Sequence, residues 1–129
     1  IDSFPAEEQE QVRTVLAEVL KAVVAQVLLK KKGGGRAPAF EVLRGSSALS
    51  NSIREGKTGM ISTLIQTGRN AGMIGMDQYL ADLVAAATVE PDEALEKALD
   101  KEQFKSLVEK RKAAATRPAG PVAGAALEP

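Results

Sequence analysis

Three consecutive glycines, Gly33 to Gly35, stand between two stretches rich in valine, leucine and alanine. Glycine has no Cβ, so it readily adopts the positive φ angles that a chain reversal requires. The two flanking stretches are therefore predicted to pair as a β-hairpin. Pro38 has no backbone N–H to donate, which places it at a sheet edge or among the first residues of the second strand. Phe40, Val42 and Leu43 are expected to face the core.

The segment before the hairpin predicts one long amphipathic helix. Pro5 suits the first turn of a helix, and the acidic residues after it lie near the positive end of the helix dipole. Apolar residues then recur at spacings of three and four along one face: Val12, Val15, Leu16, Val19, Val23 and Val27. The pattern changes from about Gln26, and the lysines at 30–32 follow. These lysines are expected to form a solvated loop, with phosphate contact as the alternative.

The stretch from Ser46 to Gly68 contains two short amphipathic runs joined by Gly56, Lys57 and Thr58. A phosphate-binding loop carries a glycine five positions before Gly-Lys-Thr and follows a buried strand. Here Asn51 stands at that position, and the apolar spacing before Gly56 is that of a helix. The stretch therefore predicts a helix over 48–55 that ends at Gly56 and a second helix over 58–67 with Thr58 as its N-cap.

The later helices are predicted from the same kind of periodicity. Apolar residues in four successive helices are expected to be buried: Met60, Ile61, Leu64 and Ile65; then Leu80, Leu83 and Val84; then Ala94, Leu95, Ala98 and Leu99; then Phe104, Leu107 and Val108. Gly68 is expected to close the first of them in a left-handed conformation. Asp77 is expected to cap the N-terminus of the next. Residues 113–129 are rich in alanine, proline and glycine and are predicted to be disordered.

Composition excludes several classes of function. The 129 residues include no cysteine and no histidine, which removes thiolate nucleophiles, disulfides, the usual zinc sites and imidazole-based triads. Seventeen basic and seventeen acidic side chains cancel, so no long-range field favours nucleic acid as a partner. No apolar run reaches the roughly 20 residues of a membrane span, and the chain is expected to be cytosolic.

Several blocks, in order, resemble the C-terminal part of the PilT-type ATPases that retract type IV pili, members of the type II/IV secretion ATPase superfamily. The most specific block runs from Ala48 to Thr58 and is similar to the family's AIRNLIRE signature with its trailing Gly-Lys-Thr. The resemblance implies that a retraction or interaction helix is carried by these residues: Ala48, Leu49, Asn51, Ile53, Arg54 and Glu55. The chain departs from the signature at Ser50 and Ser52, where the family has arginine and leucine.

The resemblance also implies a fold, a domain division and a cellular location for the protein. The parent would be an α/β protein, a RecA-like P-loop ATPase, and this chain its C-terminal portion, mainly α-helical with one β-hairpin. Residues 1–45 would end the ATPase core, 46–112 would form a helical subdomain, and 113–129 would be the tail. The family implies a ring hexamer in the cytoplasm, peripheral to the inner membrane.

The same resemblance implies cofactors and partners. ATP and Mg²⁺ belong to the parent, because the family's Walker boxes precede the segment that matches; the chain itself is expected to hold no catalytic, nucleotide or metal site. The implied partners are the rest of the ATPase chain, the hexamer neighbours and the inner-membrane platform protein. Two alternatives stay open: a divergent or accessory pilus motor paralogue, and a stand-alone helical interaction module without a nucleotide role.

Overall fold

The computed structural model describes residues 1–115, which form six α-helices and one two-stranded antiparallel sheet. The elements follow one another along the chain as α1 (Ala6–Val19), β1 (Ala22–Lys30), β2 (Arg36–Arg44), α2 (Ser47–Arg54), α3 (Ile61–Thr67), α4 (Met76–Ala85), α5 (Pro91–Lys97) and α6 (Lys101–Ala115). Short 3₁₀ turns, Thr58–Met60 and Arg69–Ala71, precede and follow α3. The prediction of a mainly helical chain with one hairpin is confirmed.

The first helix is shorter than predicted. It ends at Val19, and Leu20 is already extended with φ −67° and ψ 115°. Val23 and Val27 belong to strand β1 instead of the helix. Valine is stiff at χ1 and packs well in strands, and here β2 supplies the hydrogen-bonding partner. The lysines at 30–32 are exposed, as expected, although Lys30 still belongs to β1 and Lys32 pairs with Glu90 at 3.1 Å.

The glycine turn forms the hairpin as predicted. Gly33, Gly34 and Gly35 have φ angles of 79°, 107° and 79°, and the register pairs Leu28 with Pro38. One face of the hairpin is buried: Leu29, Ala37, Ala39 and Leu43. The prediction that Phe40 and Val42 face the same core as Leu43 is wrong, because side chains alternate along a strand. Both are half-buried on the opposite face, where Phe40 contacts Tyr79 edge to face.

Two hydrophobic clusters hold the elements together. The first joins the inner face of the hairpin to α4, α5 and α6: Leu29, Ala37, Ala39, Met76, Leu80, Ala81, Val89, Ala94, Phe104 and Val108. The second joins α1, the end of β2, α2 and α3: Ala17, Leu43, Leu49, Ile53, Ile65 and Met73. Both clusters include residues from each side of position 45. The division at 45 and 46 therefore stays a prediction from the resemblance, and packing crosses it.

Several local expectations differ from the structure. Met60 and Leu99 are 52% and 76% exposed. Neither lies in an α-helix: Met60 ends the 3₁₀ turn before α3, and Leu99 lies between α5 and α6. Gly68 has φ −85°, and the left-handed residue is Gly72 at φ 79°. Thr58 opens a 3₁₀ turn without a side-chain cap. Helix α6 runs through Ala115, so residues 113–115 are helical instead of disordered; residues 116–129 lie outside the described part of the chain.

Asp77 is in the first turn of α4 and does not cap that helix, whose N-cap is Gly75. Its carboxylate is buried and accepts hydrogen bonds from the backbone N–H of Leu99 at 2.8 Å and of Asp100 at 2.9 Å. Asp77 therefore ties α4 to the junction between α5 and α6. None of the helices in residues 1–115 has the length and apolar character needed to cross a membrane.

Candidate functional site

Helix α2 and the turn after it carry the residues of the family signature. Ser46 caps it, its hydroxyl accepting a hydrogen bond from the backbone N–H of Leu49 at 3.2 Å, as expected for serine at an N-cap. Leu49 and Ile53 are buried in the cluster formed with α1 and α3. The helix ends at Arg54, and Gly56, with φ 67°, redirects the chain. Apolar anchoring of one face thus fixes which side chains α2 presents to solvent.

The exposed side of α2 and of the turn after it is polar. Asn51, Arg54, Glu55 and Lys57 are all exposed, and these four residues are called the signature surface below. The Arg54 guanidinium donates to Asn51 Oδ1 at 3.2 Å. Glu55 pairs with the Lys57 ammonium at 2.7 Å instead of with Arg54. Arg54 and Glu55 therefore make two separate contacts, one with Asn51 and one with Lys57.

The pairing of Glu55 with Lys57 affects the lysine. The hydrogen bond to the Glu55 carboxylate, together with its negative charge, raises the pKa of Lys57 above the ordinary value. A lysine with an ordinary pKa is already cationic at physiological pH, so this shift leaves the charge of Lys57 there unchanged. The signature surface thus carries two cations and one anion on neighbouring residues. Lys57 was not predicted as part of the site, although its position two residues after Glu55 in a glycine turn allowed the pairing.

Gly56, Lys57 and Thr58 do not form a phosphate-binding loop. The residues before them are helical, whereas such a loop follows a strand. The backbone N–H of Lys57 donates to the Ser52 carbonyl at 2.9 Å, and that of Thr58 donates to the Gly56 carbonyl at 3.0 Å. Since these donors are already engaged within the chain, they do not point toward a phosphate position. The predicted helix before Gly56 is confirmed.

The two departures from the signature have distinct surroundings. The Ser50 hydroxyl donates to the Ala17 carbonyl of α1 at 2.7 Å. That carbonyl lies in the last turn of α1, where no following helical N–H reaches it. The Ser52 hydroxyl is buried and donates to the Ala48 carbonyl one turn earlier at 3.0 Å. Ser50 therefore links α2 to α1 by a hydrogen bond. The signature has an arginine at this position, whose side chain is longer and positively charged.

A cleft of about 330 Å³ lies on the other side of α3, bordered by α4 and the α5–α6 junction. Three carboxylates line it, those of Glu41, Asp77 and Asp100. Each accepts hydrogen bonds from backbone N–H groups: Glu41 from Met76, Asp77 from Leu99 and Asp100, and Asp100 from Glu102 and Gln103. These acids hold the ends of helices. The cleft brings together none of the signature residues.

A second exposed feature is apolar. Helix α1 packs on α2 and exposes Val15 and Val19, which are 52% and 60% exposed. They border a shallow cleft of about 550 Å³ along the helix. Val24 and Leu28 of β1 are also exposed, at 62% and 45%. Helix α1 and strand β1 thus follow each other in the chain and both present apolar side chains to solvent.

Comparison with known proteins decides the relationship. The chain is 44% identical over 104 residues to the type IV pilus retraction ATPase PilT of Pseudomonas aeruginosa and 43% identical over 105 residues to a twitching motility protein of Neisseria gonorrhoeae. Each match covers 81% of this chain. The chain is related to the C-terminal portion of PilT-type pilus ATPases. It spans 30% and 28% of the lengths of these two PilT-type relatives. No family model matches the chain.

Solved structures agree with this relationship. The crystal structure of the pilus retraction motor PilT with bound ADP superposes with a TM-score of 0.72 at 35% identity, over 81% of this chain and 29% of that one. The ATPase DotB of Yersinia pseudotuberculosis superposes with a TM-score of 0.58 at 14% identity, over 82% of this chain and 26% of that one. The DotB match supports the fold alone. The PilT structure resembles this chain in both fold and sequence, and it covers the same share of the chain as the two sequence matches.

Proposed function

We propose that this chain is the C-terminal portion of a hexameric, ATP-driven motor that powers type IV pilus retraction and twitching motility. The observation that carries the proposal is the 44% identity to the Pseudomonas aeruginosa retraction ATPase over 104 residues. The likeness in fold to a PilT structure agrees with it. In this role the chain transmits a conformational change, and the portion of the motor that it does not match binds ATP and Mg²⁺.

The side chains and the Gly-Lys-Thr turn of this chain are the reason for assigning nucleotide binding to the rest of the motor. Histidine and cysteine are absent from the sequence, and the Gly-Lys-Thr turn has its backbone donors engaged internally. The relative solved with ADP is a nucleotide-binding protein, so nucleotide binding is assigned to the part of the parent beyond this match. Here the apolar side of α1 and β1 would dock on that part. Burial of Val15, Val19, Val24 and Leu28 there would stabilise the joined protein.

The signature surface is assigned the contact to another protein, either the hexamer neighbour or the platform protein in the inner membrane. Its polar and charged character suits a contact that forms and breaks during a motor cycle, because such surfaces are soluble when free. This assignment places the motor in the cytoplasm, peripheral to the inner membrane. Ser50 favours a second candidate, an accessory pilus motor, because a serine bonded to α1 stands where the signature has an arginine.

A chimera tests the proposal. In it, this chain replaces the matching C-terminal part of the Pseudomonas aeruginosa PilT, and the chimera is expressed in a strain that lacks its own PilT. The expected result is ATPase activity in the purified protein and restored twitching on agar. A chimera that folds and hydrolyses ATP, but restores no twitching alone and adds none to that of wild-type PilT, contradicts the retraction role. A chimera that restores no twitching alone, but raises twitching beside wild-type PilT above the level that wild-type PilT alone supports, identifies the accessory motor.

A further inference from the structure

The turn of the hairpin carries a concentration of positive charge. Residues 30–36 are called the basic turn below, and they contain no apolar side chain. Their cationic residues are all exposed: Lys30, Lys31, Lys32 and Arg36. A Cβ built on any of the three glycines between them would meet no atom within 4 Å. The basic turn therefore projects into solvent.

Carboxylates at the start of α5 neutralise the basic turn only in part. Glu90 pairs with the Lys32 ammonium at 3.1 Å. Glu93 accepts the backbone N–H of Lys30 at 2.9 Å. The other cationic side chains of the turn pair with no carboxylate within residues 1–115: those of Lys30, Lys31 and Arg36. These cations are therefore free to meet an anion from outside.

Two of these cations lie directly opposite each other. The register of the hairpin pairs Lys30 with Arg36, so their side chains share one face, with Cβ atoms roughly 5 Å apart. Like charges at directly opposite positions destabilise a sheet. An anion bound between the ammonium and the guanidinium would replace this repulsion by two charge-assisted hydrogen bonds.

The backbone of the basic turn also offers hydrogen-bond donors. The N–H groups of Gly33 and Gly35 donate to no acceptor within residues 1–115. Both glycines have a φ angle of 79°, and the lack of a side chain lets a ligand approach the backbone closely. A phosphate group combines negative charge with several acceptor oxygens. It therefore suits both the unpaired cations and these N–H groups.

We propose that the basic turn binds the phosphate groups of an anionic lipid surface. The inference rests on the proposed function, which places the motor beside the inner membrane. Protein–protein interfaces have an apolar core and are depleted in lysine, and the basic turn has the opposite composition. Nucleic acid is the less favoured source of phosphate, because the charges of the whole chain cancel.

The expected affinity depends on the number of cations and on the ring. Each exposed lysine or arginine near an anionic membrane raises the affinity about 5-fold, so one basic turn binds weakly. A closed ring with cyclic symmetry presents one basic turn per subunit on the same side. Linked contacts of this kind bind together far more tightly than any one of them alone.

Flotation of the chimera described above with lipid vesicles tests the proposal. Vesicles of phosphatidylcholine alone carry no net charge, and vesicles that also contain phosphatidylglycerol are anionic. The chimera should float with the anionic vesicles only, and added salt should release it because exposed charges are screened. Failure to float with the anionic vesicles at low salt would overturn the proposal.

Arg36→Glu separates a lipid-binding turn from one that is merely solvated. The new carboxylate lies opposite Lys30, so attraction replaces repulsion and the urea midpoint should rise. The affinity for anionic vesicles should fall about 25-fold, because one cation is lost and one anion is gained. Lys101→Glu makes the same change of charge at an exposed residue of α6 and should lower the affinity much less. Equal losses in the two variants, or unchanged affinity in Arg36→Glu, would contradict the assigned site.

Other partners of the basic turn would give different results. If Arg36→Glu lowers the mass of the chimera in sedimentation, the turn contacts a neighbouring subunit and the lipid proposal fails. If the chimera binds single-stranded DNA in place of anionic vesicles, and Arg36→Glu abolishes that binding, the partner is nucleic acid and the lipid proposal fails as well.

The outcomes also distinguish the basic turn from the proposed function. A chimera that restores twitching but binds no anionic vesicles overturns the lipid site and leaves the function standing. Vesicle binding that Arg36→Glu abolishes, in a chimera that supports no twitching, supports the lipid site and contradicts the function.

Discussion

At the scale of single residues, Ala87 has an unusual backbone. Its φ is 54°, and no other non-glycine residue in the described part of the chain has a positive φ. The N–H of Ala87 donates to the Val84 carbonyl and that of Thr88 donates to the Leu83 carbonyl. These two bonds make a Schellman motif at the end of α4, in which the left-handed position favours glycine. An alanine there holds a conformation that its Cβ disfavours.

Replacing this alanine should stabilise the protein. We expect Ala87→Gly to raise the free energy of unfolding by about 1 kcal/mol, because glycine adopts the left-handed conformation without the Cβ penalty. Urea unfolding followed by circular dichroism measures the change. The neighbouring Ala86 has φ −77°, so Ala86→Gly should instead cost roughly 0.5 to 1 kcal/mol. The same sign in both variants would contradict the explanation.

Asp77 is the residue on which the ends of two helices depend. Its buried carboxylate accepts the N–H groups of Leu99 and Asp100. Asp77→Ala should lower the free energy of unfolding by about 2 to 3 kcal/mol, because two partly buried donors lose a charged acceptor. Asp92→Ala removes an exposed carboxylate from the first turn of α5 and should cost less than about 1 kcal/mol. Denaturant titration that gives equal costs would contradict this role.

At the scale of elements, α2 has a buried apolar face and an exposed polar face, which carries the signature surface. Leu49 and Ile53 are held in the core, and the Arg54 and Glu55 side chains contact Asn51 and Lys57 at the surface. Exposed ion pairs contribute little to stability. A change at the signature surface should therefore affect function more than folding. Separating the two effects requires one measurement of stability and one of motility.

We expect Arg54→Ala combined with Glu55→Ala, in the chimera, to abolish twitching and to change the free energy of unfolding by less than about 0.5 kcal/mol. The physical reason is loss of a charged contact to a partner without loss of core packing. Thermal unfolding and agar motility are the two measurements. The exposed pair Glu102 and Lys105 on α6 provides the control, since its double alanine variant should keep twitching. Normal twitching of the signature variant would reject the assigned surface.

The elements also show which structural information the sequence contains. Three glycines predicted the hairpin because few other sequences permit three successive positive φ angles. The first helix was predicted to extend too far. A spacing of four residues also keeps side chains on one face of a strand, as it does for Val23 and Val27. Asp77 was assigned to a local cap, whereas its partners lie 22 and 23 residues away. Sequence patterns within a single helix do not predict contacts between residues so far apart in the chain.

At the scale of the whole molecule, the chain carries an apolar surface that its own described residues do not cover. Two core clusters hold together the hairpin and all six helices, yet Val15 and Val19 on α1 are more than half exposed. Isolated exposed valines are common, but a contiguous apolar patch marks an interaction site. The match spans 30% of the Pseudomonas aeruginosa relative, and under the proposed function this surface docks on the remainder of the motor.

This assignment predicts that the isolated chain associates with itself as its concentration rises, and that Val15→Lys weakens the association. A charge placed on the apolar patch must be desolvated when two copies meet, whereas it stays hydrated in the monomer. The urea midpoint should therefore remain unchanged while sedimentation equilibrium shows a smaller average mass at the same concentration. Thr14→Lys adds the same charge at an exposed residue outside the cleft and should leave association as it is. Val15 would belong to the folding core, and not to a docking surface, if Val15→Lys lowered the urea midpoint as strongly as a substitution at buried Leu49.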